Sequence, residues 1–145
     1  MDCESLKKRL DEAGCSESNY SIGCRNDDTF ALEKFGDEWW VFYTERGSVS
    51  DPEFRSESED AACAYLWEKM QHIRHDHLVG TFSDPDEARE FVAWLERQGL
   101  AHSYNPIPEP VVTPTMHRIF VHGTAVFAVR KFFPNLPIRR WKAGT

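Results

Sequence analysis

His72, His75, Asp76 and His77 fall within six consecutive residues, and imidazoles beside a carboxylate are a donor set that binds first-row cations. At a helix end, His72 and His75 would share one ion. His77 reaches it only if the helix stops first, and no distant fourth ligand announces itself. A helix C-terminus also favours histidine through its dipole. The expectation is therefore no metal, with a small metal-dependent enzyme using His72, His75 and His77 as the alternative. The four cysteines, Cys3, Cys15, Cys24 and Cys63, are irregularly spaced without a C-x-x-C pair and read as reduced thiols. Neither Cys24 nor Cys63 has a flanking signature of a nucleophile, and Cys63 falls on the inner stripe of a helix, where a small hydrophobe is the ordinary occupant. Gly23, Gly36, Gly47 and Gly80 are isolated, so no phosphate-cradling loop is present. No cofactor and no catalytic residue is assigned.

The run Trp39-Trp40-Val41-Phe42-Tyr43 must be placed by whatever surrounds it. As a strand it sends Trp39, Val41 and Tyr43 to one face and Trp40 and Phe42 to the other, so both faces need cover, or Trp40 serves as an anchor for a partner. Strand patterns at 20–24, 30–35 and 39–44 with turns at 25–28 and 36–38 predict an antiparallel meander, extended by a further strand at 48–54 that Pro52 interrupts. Leu6, Leu10 and Ala13 give a short first helix ending at Gly14. Ser56 with Glu59 has the form of a capping box, opening a helix with Ala62, Cys63, Leu66, Trp67 and Met70 on its buried face. Asp84-Pro85-Asp86-Glu87 opens another, with Ala88, Phe91, Val92 and Leu95 inside and Gly99 after its end. Residues 105–114 hold four prolines and read as an extended connection. The segments 116–121 and 125–132 then read as a closing hairpin, followed by a basic, irregular end at 134–145.

At 145 residues, 41% of them hydrophobic, with five Trp and ten Phe, the chain has the apolar content of one folded domain spanning 1–145. The expected class is α+β, a meander sheet covered by two or three amphipathic helices with a C-terminal hairpin. No secretory signal pattern opens the sequence and no apolar run reaches the length of a membrane span, so a cytoplasmic protein is expected. Charge is uneven: residues 1–60 hold 16 Asp and Glu against 7 Lys and Arg, and residues 101–145 hold 1 against 6. An acidic front half repels nucleic acid and membrane phosphates and attracts a cationic protein.

Tyr20-Ser21-Ile22-Gly23, Phe30-Ala31-Leu32-Glu33-Lys34, Trp40-Val41-Phe42-Tyr43-Thr44-Glu45-Arg46-Gly47 and the stretch 54–62 together resemble the small immunity proteins of bacterial polymorphic toxin and contact-dependent inhibition systems. The resemblance covers residues 18–70. It implies a cytoplasmic antitoxin that occludes a cognate toxin enzyme domain one to one; no nucleic acid or membrane partner is expected, and the chain is expected to be a monomer or weak homodimer. The charge pattern makes that physically coherent, because toxin domains that attack nucleic acid or nucleotide cofactors have cationic clefts. Candidate contacts are Asp27, Asp28, Asp37 and Glu38 on the turns, then Glu45, Asp51 and Glu53, with Trp40 as aromatic anchor. An adaptor or structural subunit without a toxin partner is the remaining alternative.

Overall fold

The computed structural model describes residues 1–138 and has an α+β fold divided into two units, Met1–His75 and Asp76–Thr145. Each has its own sheet and its own hydrophobic cluster. That replaces the single core expected for the whole chain. The basic end is seen only as far as Ile138, and 139–145 lie outside the described residues. No helix among the described residues is long and apolar enough to cross a membrane.

In the first unit, α1 (Cys3–Glu12) is capped by Asp2, whose side chain accepts from the Ser5 amide, and buries Leu6 and Leu10. It is followed by β1 (Tyr20–Ile22), β2 (Thr29–Phe35), β3 (Glu38–Glu45), β4 (Ser48–Val49), β5 (Phe54–Ser56) and α2 (Glu59–Gln71). The β2–β3 hairpin closes on Gly36-Asp37, with Gly36 at φ +61°, and pairs Phe35 with Glu38. Arg46-Gly47, both at positive φ, joins β3 to β4. This turn matches the right-handed twist of its strands.

Three expectations need correction here. The meander is not wholly antiparallel, because β1 pairs parallel with β2. Parallel neighbours normally need a long crossover, but β1 is only three residues long, so the short stretch 23–28 can bring the chain back. Interrupted at Pro52, the strand expected at 48–54 is two short ones, both paired with β3. The N-cap of α2 is Ser58, which accepts from the Ala61 amide, while Ser56 accepts from the Ser58 amide one step earlier.

One face of this sheet carries Tyr20, Ile22, Leu32, Val41 and Phe54 against Leu6, Leu10, Ala62, Cys63, Leu66 and Met70 of the two helices. The other face carries Ala31, Glu33, Phe35, Trp40 and Phe42, as the register requires.

The second unit runs β6 (Asp76–Phe82), α3 (Pro85–Arg97), β7 (His102–Ile107), β8 (Met116–His122) and α4 (Ala125–Phe132). Its sheet has the order β6-β8-β7, antiparallel throughout. Asp84 caps α3 through the Asp86 amide, with proline in the first turn as expected. This helix packs on β6 and β8, whereas the sequence reading placed it over the sheet of residues 20–54. The closing hairpin is also overturned, since 125–132 is a helix with Val126 and Val129 buried. Phe82, Phe91, Trp94, Phe132 and Phe133 form a continuous aromatic cluster, with Trp94 and Phe133 centroids 4.9 Å apart.

Candidate functional site

In the first unit the most chemically varied surface is the sheet face turned away from α2. Three hydroxyls prepare it. Ser21, Thr29 and Thr44 lie side by side and buried across the strands, with Ser21 and Thr29 2.8 Å apart. Both threonine hydroxyls donate to the Asn26 carbonyl. This pins the 23–28 loop down and brings Arg25 over the sheet, where its guanidinium lies 5.4 Å from the ring centroids of Phe35 and Phe42. Arg25 also pairs with Glu33 at 2.6 Å.

The ladder continues across the strands. Phe35 and Trp40 have centroids 4.7 Å apart, Arg55 sits 5.7 Å from the Trp40 ring, and its guanidinium is 3.9 Å from Glu38. Phe42 beneath is fully buried. Trp40 itself is only partly buried, yet its indole nitrogen is shielded and has no hydrogen-bond partner among the described residues. A buried donor without an acceptor costs on the order of 1–3 kcal/mol.

The structure does not gather the eight residues picked out for partner binding. Asp27, Asp28 and Glu45 are exposed at one end of the β2–β3 hairpin, where the Asp27 carboxylate accepts from the Gly47 amide at 3.3 Å. Asp37 and Glu38 lie at the other end, about 20 Å away at strand rise. Asp51 is exposed in the β4–β5 loop. Glu53 turns back on its own unit, accepting from the Tyr65 hydroxyl at 3.0 Å and Lys69 at 2.9 Å. Those bonds hold Lys69 above its usual lysine value, while Tyr65 is raised first by burial and then by Glu53. Of the eight, Glu38 and Trp40 belong to the ladder.

Arg25, Glu33, Phe35 and Arg55 were missed. A two-residue turn at Gly36-Asp37 already sets Glu33 opposite Trp40 and Phe35 opposite Glu38, so half of the ladder was readable from hairpin register. Nothing local announces Arg55, because β5 skips β4 to pair with β3.

The histidine cluster is dispersed among other tasks. His72 caps the end of α2 and lies 2.9 Å from Glu68. His75 is buried; its Nδ1 accepts from the Ser16 amide at 2.9 Å and its Nε2 donates to the Met70 carbonyl at 2.8 Å. That pair of bonds clamps the α1–β1 connection to the end of α2. His77 is on β6. Among the described residues no three His, Cys, Asp or Glu converge to hold a cation.

The cysteines are free, and burial pushes the thiols of Cys15 and Cys63 upward. Cys3 is pushed to about 12, by burial first and then by the neighbouring Cys63 and Glu59. A thiol held protonated is a poor attacking group. Counted by unit, 1–75 holds 17 Asp and Glu against 9 Lys and Arg, and 76–145 holds 7 against 8, so the acidity belongs to the unit that carries the ladder. Compared with known proteins, the chain matches no family model, no curated protein and no solved structure.

Proposed function

We propose that the chain is a cytoplasmic immunity protein of a bacterial toxin system, which neutralises a cognate toxin enzyme domain by direct one-to-one binding. The observation that carries this reading is the Arg25–Phe35–Trp40–Arg55 ladder with its flanking Glu33 and Glu38. Tryptophan and arginine are among the residue types that dominate binding hot spots, and here Phe35, Trp40 and Arg55 stand on sheet strands, with Arg25 on a loop pinned to them, so that their geometry is fixed in advance. A carbonyl from the partner would satisfy the Trp40 indole once the ring turns. The surplus of carboxylates on the same unit steers a cationic toxin surface toward the ladder and falls away with salt.

The test is binding of the toxin domain encoded beside this protein, followed by calorimetry, surface kinetics and toxin activity. Trp40→Ala speeds dissociation about ten-fold or more, equivalent to about 1.4 kcal/mol. Reversing Asp27, Asp28, Asp37 and Glu38 to Lys slows association several-fold at low salt, and the difference closes near about 0.5 M. Equal association rates at every salt concentration remove the steering part. A toxin that is neither bound nor inhibited removes the proposal.

A further inference from the structure

The three-stranded sheet of the second unit has two edges, and they are treated differently. At β6 the ladder is broken by a bulge between Leu78 and Gly80, and the Thr81 amide is taken by the Pro137 carbonyl at 2.9 Å. Asp76 adds charge at the start of that strand. These are familiar means of closing an edge to foreign strands. Among the described residues, β7 has none of them apart from proline. Its six residues, His-Ser-Tyr-Asn-Pro-Ile, include no Asp, Glu, Lys or Arg.

The hydrogen-bond phase of β7 follows from one bond at its start. The His122 amide donates to the Ala101 carbonyl, so Ala101 and His122 are a hydrogen-bonded antiparallel pair, and in the observed register Ser103/Phe120, Asn105/Arg118 and Ile107/Met116 follow in the same phase. The amides and carbonyls of His102 and Tyr104, with the carbonyl of Pro106, therefore point away from β8. Proline agrees with this, since Pro106 occupies a position where the sheet needs no N–H. Tyr104 is 50% exposed. It stacks on His117 and, with Ala88, Val92 and Ala93 of α3, borders a groove of about 550 Å³ along the inner side of this edge.

We propose that β7 pairs with β7 of a second copy of this chain, antiparallel across a twofold axis at Tyr104, joining two three-stranded sheets into one. The free edge is self-complementary in that arrangement. Tyr104 meets Tyr104 in a hydrogen-bonded pair and each His102 amide reaches the other copy's Pro106 carbonyl, giving about four main-chain bonds. The two Tyr104 rings become cross-strand neighbours at the open side of the two grooves, the geometry in which aromatic pairs stabilise sheets. Electrostatics does not oppose it, because the strand is uncharged and residues 76–145 are close to neutral, with 7 acidic against 8 basic side chains. An interface of this size is small, and a dissociation constant in the tens of micromolar, roughly −6 kcal/mol, is expected.

Analytical ultracentrifugation of the full chain from about 5 to 500 µM reads the equilibrium directly. The expected result is a reversible monomer–dimer transition that Tyr104→Phe retains and Tyr104→Lys weakens at least ten-fold by facing two ammonium groups across the axis. Amide exchange of His102 and Tyr104 in the unaltered protein slows several-fold as concentration rises, a reading that needs no variant. A wild-type chain that stays monomeric at the highest concentration overturns the proposal. So does a dimer that survives Tyr104→Lys, or one that leaves those two amides unprotected, since it is then built on another surface.

Discussion

The two units hold their shape by different means. In the first, buried polar groups place the loops: the Ser21–Thr29–Thr44 row anchors the Asn26 carbonyl, and His75 spans from Ser16 to Met70. In the second, the organising feature is a run of rings from Phe82 through Phe91 and Trp94 to Phe133. Hydrogen bonds are directional, so they can fix where a guanidinium stands over a sheet; aromatic packing gives more apolar burial with less control of position. On the two proposals above, the first unit would display the ladder and the second would associate through its β7 edge.

That comparison is most sharply tested by removing its central pieces. Phe91→Ala takes away the ring that touches Phe82, Trp94 and Phe133, and is expected to cost about 3–5 kcal/mol in urea denaturation. Hydrogen exchange should accelerate across 76–138, with the amides of 1–75 as the internal reference. A loss below about 1 kcal/mol would mean that the rings are surface ornament around a core held by the aliphatic residues.

His75→Ala comes next. It strands the Ser16 amide and the Met70 carbonyl, and a loss of about 1–3 kcal/mol is expected, with faster exchange at Ser16 as its local signature. His75→Gln, which can both donate and accept, should recover part of it. If neither variant moves the denaturation midpoint, water replaces the clamp and polar positioning of the loop is not what stabilises it.

Alkaline pH supplies a third measurement. Cys3 ionises at about 12 in the folded chain against an ordinary 9.0, and Tyr20 at about 12 against 10.0, the latter raised by burial first and by nearby carboxylates after it. The folded state keeps protons that the unfolded chain has shed, so this stability is complete below pH 9 and declines as pH climbs from 9 toward 12. Cys3→Ala should flatten the earlier part of that decline in urea midpoints taken against pH. An unchanged slope would place the alkaline loss elsewhere. The smallest effect expected is that of Glu53→Ala, less than about 1 kcal/mol, because its partners Tyr65 and Lys69 remain close to solvent.

Sequence periodicity made several elements legible: α1 from Leu6 and Leu10, the β2–β3 hairpin from its glycine turn, and the start of α3 from Asp84-Pro85. Each has a local cause, a cap or a turn residue that permits few alternatives. Residues 125–132 were misread because Ala-Val-Phe-Ala-Val satisfies both periods: the β-branched residues suggested a strand, while Val126 and Val129 stand three apart on one helical face. Short apolar runs carry that ambiguity by nature.

The separation of the acidic residues was legible only through the strand pattern. Composition counts charges without saying at which end of a hairpin they stand; the strand expected at 30–35, between turns at 25–28 and 36–38, already sends Asp27 and Asp37 to opposite ends, as the register then shows. Long-range pairings, such as β5 with β3 or β6 with β8, have no local signal at all.

The order β6-β8-β7 also bears on how the protein is made. Its central strand is the last of the three to leave the ribosome, and until residues 116–122 emerge, β6 and β7 have no strand to pair with. By contrast, every strand of the first unit has its neighbour by residue 56. Synthesis at about 5–20 residues per second leaves the nascent second unit with two open strands for roughly one to three seconds. A chaperone that holds extended apolar segments would find its client in that interval, and a ribosome stalled before Met116 would release a chain whose first sheet is complete and whose second cannot form.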